Sequence, residues 1–359
     1  MTRMRALPLA LILAGAGTAF GQTPPASPDD TPSIRVGAVI YADWTRQQSP
    51  QAVDSDGNTI NPNAFNVTRS YINITGNISH LVAFRITPDI ARETSTFSNL
   101  TGSLEFRIKY AYAQFNLDDW MPKGSWAKLG IQQTPWLDYA ENIYRYRFQG
   151  TMFVEREGYF ASADAGASFH YQAPSNYGDV HVGVFNGENY NKAEANDQKA
   201  LMIRASARPF AKAGPAVSGV SVSVFYDSDN YVQNAPRDRF MASLNYQHKY
   251  VVFGLEYLST KDQTSRIKRE TDGKGYSIWV TPRATNGWEA LLRYDHLEPD
   301  TAAPTQVRNR TIAGVAYWFP HQGNVASALL FDYDGQTFDN FTPAQPKQSR
   351  LGVHGLISF

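Results

Sequence analysis

The chain has 359 residues, with 33 basic and 33 acidic side chains, 20 tyrosines, 20 phenylalanines and no cysteine. The balanced charge argues against a nucleic-acid partner, which would favour a strongly basic domain, and the missing cysteine excludes a disulfide framework. The length fits two or three soluble domains or one large β domain.

The N-terminus indicates export. Two arginines precede the apolar run at residues 7–14, and small side chains follow as far as Gly21. This pattern is typical of a secretory signal peptide, and the run is too short to cross a bilayer as a helix. We predict a signal peptide at residues 1–21, a flexible Pro-rich lead at residues 22–33 and a folded part at residues 34–359. A buried N-terminal helix is the alternative, which the absence of a polar face disfavours.

From Ile34 onward, segments of about ten residues carry apolar side chains at every second position, as in membrane barrel strands. In the clearest segment the face Leu104, Phe106, Ile108, Tyr110 and Tyr112 alternates with Glu105, Arg107, Lys109 and Ala111. Similar segments begin at Ile34, Leu201, Val220, Phe240, Val251 and Trp288. One face suits lipid and the other suits water, although a soluble antiparallel sandwich also alternates.

The connections between these segments alternate in length, as in bacterial barrels with short periplasmic turns and long extracellular loops. Short connections are predicted at residues 76–79, 173–178, 247–249, 284–287 and 320–323. Long ones are predicted at residues 45–65, 135–159, 187–198, 260–274, 298–309 and 334–347. Counting through predicts an all-β, transmembrane antiparallel β-barrel of about sixteen strands, with both termini on the periplasmic side.

The last residues alternate down to a terminal Phe359, which resembles the signature that the barrel assembly machinery recognises in outer-membrane proteins. Aromatic side chains at strand ends are predicted to form interfacial girdles against outer-membrane lipid and lipopolysaccharide. They are Trp44, Tyr112, Trp126, Tyr226, Tyr257, Trp318 and Phe319. Packing in the core of a soluble β fold is their alternative. The predicted location is the bacterial outer membrane.

If the apolar side chains of each strand face lipid, the charged side chains that alternate with them face the lumen. The basic ones are Arg35, Arg69, Arg85, Arg107, Lys109, Lys128, Arg204, Arg208, Arg239, Arg293 and Arg350. The acidic ones are Asp43, Glu105, Glu256, Glu289, Asp295 and Asp332. Because rings of charge set selectivity, the basic excess favours anions. For any single arginine, a salt bridge within the inner wall is the alternative.

The third long loop, about residues 136–159, is rich in aromatic and arginine side chains for a solvated loop. We predict that it folds inward as a constriction loop, with Arg145, Arg147 and Arg156 at the eyelet. The alternative is that these arginines pair with Glu141, Glu155 and Glu157 and only hold the loop.

Four short motifs occur in order along the chain: Gly130 followed by Pro135, Phe153-Val-Glu-Arg156, Val184-Phe-Asn-Gly187 and Arg293-Tyr-Asp295. With these motifs the chain resembles the phosphate-selective porin O and P family of bacterial outer-membrane porins. The resemblance implies a homotrimer of sixteen-stranded barrels that passes small anions. Ile131 and Gln133 depart from the family's Gln and basic residue at these positions, so channel function transfers more safely than phosphate selectivity.

The sequence therefore predicts a water-filled channel for passive diffusion of small polar solutes, with a mild, phosphate-like anion preference. The predicted lining residues are Arg145, Arg147, Arg156, Arg107, Lys109, Lys128, Arg204 and Arg293. An outer-membrane barrel enzyme, a closed structural or adhesive barrel and a soluble periplasmic β protein are the alternatives. No Gly-x-Ser-x-Gly, P-loop or zinc-protease motif is present, and the histidines lack ligand spacing. We therefore expect no enzyme activity, metal or cofactor.

Overall fold

The computed structural model describes residues 30–359, so the predicted signal peptide and most of the predicted lead lie outside the described residues. The strands are β1 (Ser33–Ser49), β2 (Ala52–Val53), β3 (Thr59–Ile60), β4 (Asn63–Asn77), β5 (Val82–Arg92), β6 (Leu104–Asn116), β7 (Trp126–Gln133), β8 (Ala163–Gln172), β9 (Gly178–Phe185), β10 (Ala200–Ala207), β11 (Val220–Ser228), β12 (Asn230–Val232), β13 (Ala235–His248), β14 (Val251–Asp262), β15 (Thr271–Pro282), β16 (Trp288–Glu298), β17 (Val307–Trp318), β18 (Ala326–Asp339) and β19 (Gln348–Ser358). Two short helices, α1 (Pro135–Glu141) and α2 (Phe153–Arg156), lie between β7 and β8.

Sixteen of these strands form a closed antiparallel barrel in which each pairs with the next along the chain. The barrel closes because β1 pairs with both β4 and β19, so that Asp43 lies opposite Asn66 on one side and His354 on the other. The hairpin β2–β3 belongs to the first loop, and β12 pairs only with the start of β13. Closure leaves no sheet edge exposed to lipid, and the predicted barrel of about sixteen strands is confirmed. Within residues 30–359, no helix has the length and apolar character needed to cross a bilayer.

The side chains alternate between lipid and lumen along most strands. On β10, Leu201 and Ile203 are exposed on the outer face, whereas Met202 and Arg204 are buried inside. The outer face is therefore apolar, and the inner face mixes charged with apolar side chains.

The strand β6 departs from the predicted alternation at a β-bulge. Pro88 of β5 pairs with Ile108, whereas the residue before it pairs with Tyr110, so Lys109 is an extra residue in the ladder. Proline has no backbone N–H to donate to the neighbouring strand, which explains why the register shifts there. Lys109 and Tyr110 are both buried inside, and Tyr112 follows on the same inner face. The prediction that Tyr110 and Tyr112 continue the lipid-facing row was therefore wrong.

The predicted aromatic girdles are correct only in part. The Trp126 ring lies inside, 3.9 Å from the Lys128 ammonium, and Trp318 packs inside against Tyr146. Trp126, Trp318 and Tyr112 therefore face the lumen. The alternation of side chains along a strand decides whether a residue faces lumen or lipid, whereas its distance from the strand end does not. Tyr226, Tyr257 and Phe319 are exposed, and Trp44 lies beside the exposed Phe65.

The predicted short turns all lie at the barrel end that carries both termini, the periplasmic end in bacterial barrels. Two further connections at that end, residues 117–125 and 208–219, were not predicted. At the opposite end the loops at residues 134–162 and 186–199 are slightly longer than predicted, but the other four predicted long loops are shorter because the strands run on. β1 continues to Ser49, for example, and β4 already begins at Asn63.

Candidate channel and constriction

The third loop, residues 134–162, folds inside the barrel. It starts with α1, whose first residue is Pro135, a position where the missing N–H costs no hydrogen bond. Its apolar side chains pack mainly against inward-facing side chains of the strands from β10 to β19, with Tyr41 of β1 at one edge. The buried loop members include Trp136, Leu137, Tyr144, Tyr146, Phe148 and Phe153, and the wall members include Met202, Phe225, Leu258, Trp279, Leu291 and Leu330.

Polar contacts fix the loop to the same side of the wall. The Tyr146 hydroxyl donates a hydrogen bond to Glu289 Oε2 at 2.7 Å, and the Gln149 amide donates one to Asp332 Oδ2 at 2.7 Å. Both carboxylates are buried, so breaking either bond would remove a donor from a buried acceptor. The loop therefore narrows the lumen from the β10–β18 side.

Arg147 holds the loop together. Its Nε lies 3.0 Å from Glu141 Oε1, and its guanidinium also pairs with Glu155. Burial opposes ionisation of Glu155, but Arg147 outweighs it and lowers the pKa of that carboxyl, with further contributions from Lys109 and Arg69. Arg147 thus has the loop-holding role that was the alternative for the three eyelet candidates.

Of the two candidates that form ion pairs, Arg145 is the more exposed, with 36% of its side chain exposed. It pairs with Glu289 on β16 and stacks 3.7 Å from the Trp318 ring. Burial and the neighbouring Arg283 lower the pKa of Arg145 to about 10, so the guanidinium stays charged at neutral pH.

Arg156 faces a different group of charges. Its Nη2 donates to Gln149 Oε1 at 3.0 Å, while its Nη1 is buried without a hydrogen-bond partner. Burial, with Arg293 and Arg310, lowers the pKa of Arg156 to about 9. The third predicted partner, Glu157, binds Arg308 of β17 at 2.9 Å and none of the three arginines.

Two predicted lining residues lie behind the loop. Arg204 donates to the Pro135 carbonyl at 3.0 Å and pairs with Asp179. Arg293 pairs with Asp295 at 2.8 Å. Each arginine is only 3% exposed, so these positions are buried ion pairs that support the loop.

The other three predicted lining residues belong to a basic stripe on the wall opposite the loop's anchors. We use this name for six inward-facing cations on β1 and β4–β7: Arg35, Arg69, Arg85, Arg107, Lys109 and Lys128. Within residues 30–359, no carboxylate oxygen lies within 4.0 Å of any of their nitrogen atoms, whereas the inward arginines of the strands from β10 to β19 are paired.

Tyrosines make several of the direct contacts of the stripe, and the buried Asp89 of β5 lies opposite Arg107 in the register. The Arg85 guanidinium lies 4.5 Å from the Tyr110 ring centre, and Lys109 Nζ donates to the Tyr71 hydroxyl at 2.6 Å. Arg107 donates to the hydroxyl of Tyr190 at 2.9 Å. These contacts add no negative charge beside the stripe, and Lys109 itself is only 1% exposed.

The stripe runs along the barrel axis. Arg107 lies near the extracellular start of β6, while Lys128 pairs in register with Gln114 near the periplasmic end. Seven residues of tilted strand separate these two levels, about 18 Å along the axis. At the periplasmic end Arg35 and Arg85 line one cavity of about 230 Å³. Parity alone predicted that Arg35, Arg69 and Arg85 face the lumen, but it did not predict that they lack acidic partners.

The motif residues start and end the loops. Gly130 has a φ of +126°, and a Cβ there would lie 2.3 Å from the Ala111 carbonyl oxygen, so only glycine fits before the third loop. Gly187, with a φ of +93°, donates its N–H to Asp164 at 2.7 Å and opens the fourth loop. No group of three or more His, Asp or Glu side chains in the described part of the chain is arranged to hold a metal ion.

No protein-family model matches the sequence, and no curated protein matches it either. Solved structures do. An anion-selective porin from Comamonas acidovorans is 11% identical, with a TM-score of 0.64, covering 91% of this chain and all of that one. OmpT with loop L8 deleted, an outer-membrane protein of Vibrio cholerae, is 12% identical, with a TM-score of 0.62, covering 92% of this chain and all of that one.

Salmonella typhi OmpF is 9% identical, with a TM-score of 0.57, and the match covers 91% of this chain and 97% of that one. At such low identity the likeness concerns the fold. The closed sixteen-stranded sheet, the apolar outer face and the loop folded into the lumen agree with it. The chain therefore has the fold of bacterial outer-membrane porins and is a barrel of the outer membrane.

Proposed function

We propose that the chain is a passive channel, and not an enzyme, which lets small polar solutes diffuse through a water-filled lumen with a preference for anions. The observation that carries this proposal is the basic stripe, whose six cations have no acidic partner within 4.0 Å in the described residues. A low-dielectric wall with one sign of charge raises the local concentration of the opposite ion.

The position of the third loop supports the same proposal. Its apolar face covers the half of the wall whose charges are already paired, which leaves the unpaired stripe facing the narrowed lumen. Its two acids closest to the stripe, Glu141 and Glu155, are bound by Arg147. The similar fold of an anion-selective porin agrees with this arrangement.

Phosphate-like anions are the solutes we propose within this class. Guanidinium groups replace part of an anion's hydration shell, and the stripe offers four of them along the path, while its two ammonium groups, Lys109 and Lys128, are buried. The motif resemblance to the phosphate-selective porin O and P family supports this choice, although no family model matches.

We further propose a homotrimer whose contacts lie on the outer face of β1 and β4–β7. This face exposes Ile72, Phe106 and Leu129 and carries only one outward tyrosine or tryptophan, Trp44, within the described strands. The outer face of β11–β18 instead carries a row of tyrosines that suits the lipid interface. A trimer form of the similar Vibrio cholerae OmpT agrees with this assembly.

The remaining partners are outer-membrane lipid and lipopolysaccharide around the barrel and the barrel assembly machinery at β19. The strand ends at the exposed Phe359, whose backbone N–H and carbonyl pair with Ala38 on β1 at 3.0 Å. The assembly machinery would therefore bind the strand whose pairing with β1 closes the barrel last.

Planar-bilayer recording tests the channel. The detergent-purified barrel should give stepwise openings, with a reversal potential in a salt gradient that indicates anion preference. Openings without selectivity would leave a general pore and contradict the role of the stripe. A folded barrel that gives no openings would refute the channel and favour a closed structural barrel.

A further inference from the structure

A second polar cavity, of about 240 Å³, lies at the extracellular end of the barrel. It is bounded by the last residues of the third loop and by the strands around β11 and β13. Its lining includes Tyr159, Asp164, Lys192, Asp227, Tyr231 and Arg239. Its lining contains no residue of the basic stripe, and channel selectivity does not explain its charges.

Asp227 is the unusual member of this lining. In the antiparallel register it lies directly opposite Arg239, which would be its natural partner. Arg239 instead donates to Asp262 at 2.7 Å and places its guanidinium 5.2 Å from the Tyr159 ring centre. Asp227 is 5% exposed, and its Oδ1 is buried without a hydrogen-bond partner.

The neighbouring acids differ because they are satisfied. Asp164 accepts backbone hydrogen bonds from Ala165 and Gly187, each at 2.7 Å. Asp229 accepts one from the Asn230 N–H at 2.7 Å and pairs with Arg237. Among the acids that line this cavity in the described residues, only Asp227 therefore has a buried oxygen with no donor. A buried carboxylate oxygen without a partner is costly unless the group is protonated or a ligand supplies the donor.

We propose that this cavity is a subsite for the primary ammonium group of a small organic solute, with Asp227 as its acceptor. A compact ammonium with three N–H donors fits one free carboxylate, whereas a divalent cation needs several oxygen ligands. The described residues contain no group of three or more His, Asp or Glu side chains that could hold a metal ion, which agrees with an organic cation as the ligand of this cavity. The inference rests on the proposed channel and extends it, because the subsite would collect amine-bearing solutes before they reach the constriction.

Titration calorimetry of the detergent-solubilised barrel with ethylammonium tests the subsite. Asp227→Asn preserves the shape and removes the acceptor charge, so the dissociation constant for ethylammonium should rise about tenfold or more. Asp56→Asn removes an exposed acid from the first loop and serves as the matched control, with no change expected. Tetraethylammonium, which has no N–H donor, should not bind to the wild-type protein, and this comparison needs no variant.

Equal affinity of the wild type and Asp227→Asn, or absence of ethylammonium binding to the folded wild type, would overturn the subsite. So would equal binding of ethylammonium and tetraethylammonium. Conductance is recorded separately on the same preparations. Openings without ethylammonium binding would refute the subsite alone, whereas binding without openings would refute the channel and leave the site.

Discussion

Arg85→Gln tests the basic stripe most directly. Arg85 has no acid within 4.0 Å, and its guanidinium donates to Thr87 at 2.9 Å and to Asn73 at 2.8 Å. Glutamine keeps hydrogen-bonding capacity and removes the charge without leaving a buried carboxylate unpaired. We therefore expect the folded barrel to persist while the stripe loses one of its six cations.

The size of the effect follows from Coulomb's law. A solute ion passing about 6 Å from the lost charge, in surroundings with an effective dielectric constant between about 80 and 20, loses about 0.7 to 3 kcal/mol of attraction. The ratio of anion to cation permeability should therefore fall at least about threefold, measured by reversal potential near 0.1 M salt, where the screening length is about 10 Å. Lys199→Gln, at an exposed loop position paired with Glu194, should leave the ratio unchanged. An unchanged ratio in Arg85→Gln would refute the role of the stripe.

Three further results are expected. Glu155→Gln removes one acidic partner of Arg147 and makes the net charge at the constriction more positive by one unit. The anion preference measured by reversal potential should therefore rise, and a fall in that preference would contradict this electrostatic model. Gly130→Ala places a Cβ 2.3 Å from a backbone oxygen at a φ of +126°. The folded fraction, measured by heat-modified gel mobility, should therefore drop. Normal folding would show that the backbone relieves this close approach. A hydrogen bond to Asp30 raises the pKa of His80 in the folded state. This contact therefore stabilises the N-terminal segment fully below about pH 6.5, and the stabilisation is lost as the pH rises through the raised pKa. The protection factor for hydrogen exchange near residue 30, which corrects for the intrinsic exchange rate at each pH, should fall over that range in the wild type. The same fall in His80→Gln would refute the assignment.

The period-two pattern was enough to predict the barrel, because lipid and lumen impose opposite chemistry on alternate side chains of every strand. The prediction from this pattern failed where one missing backbone N–H interrupted the hydrogen bonds between β5 and β6. Pro88 cannot donate to β6, and the resulting extra residue, Lys109, reverses the parity of Tyr110 and Tyr112. Proline within an apparent strand was the available signal.

The candidate lining was predicted less well, since parity places a charge inside but does not show what it touches. Lys109 and Lys128 face tyrosine or tryptophan rings, whereas Arg204 and Arg293 are locked to acids behind the third loop. Arg145 was predicted at the eyelet, with a pair inside the loop as the alternative, but its partner is Glu289, which is 144 residues away along the chain. Such distant pairings are fixed by barrel closure and not by local sequence.

The contact of Phe148 with both sides of the barrel seam has a consequence for the order of assembly. Phe148 of the third loop packs 6.3 Å from Tyr41 on β1 and 5.8 Å from Trp318 on β17, and Leu356 on β19 belongs to the same apolar cluster. The first and last strands of the chain therefore both build the surface on which this loop docks. Before those strands meet, the docking surface is incomplete, so the narrow passage is among the last features of the molecule to form, and a barrel arrested before closure would lack it.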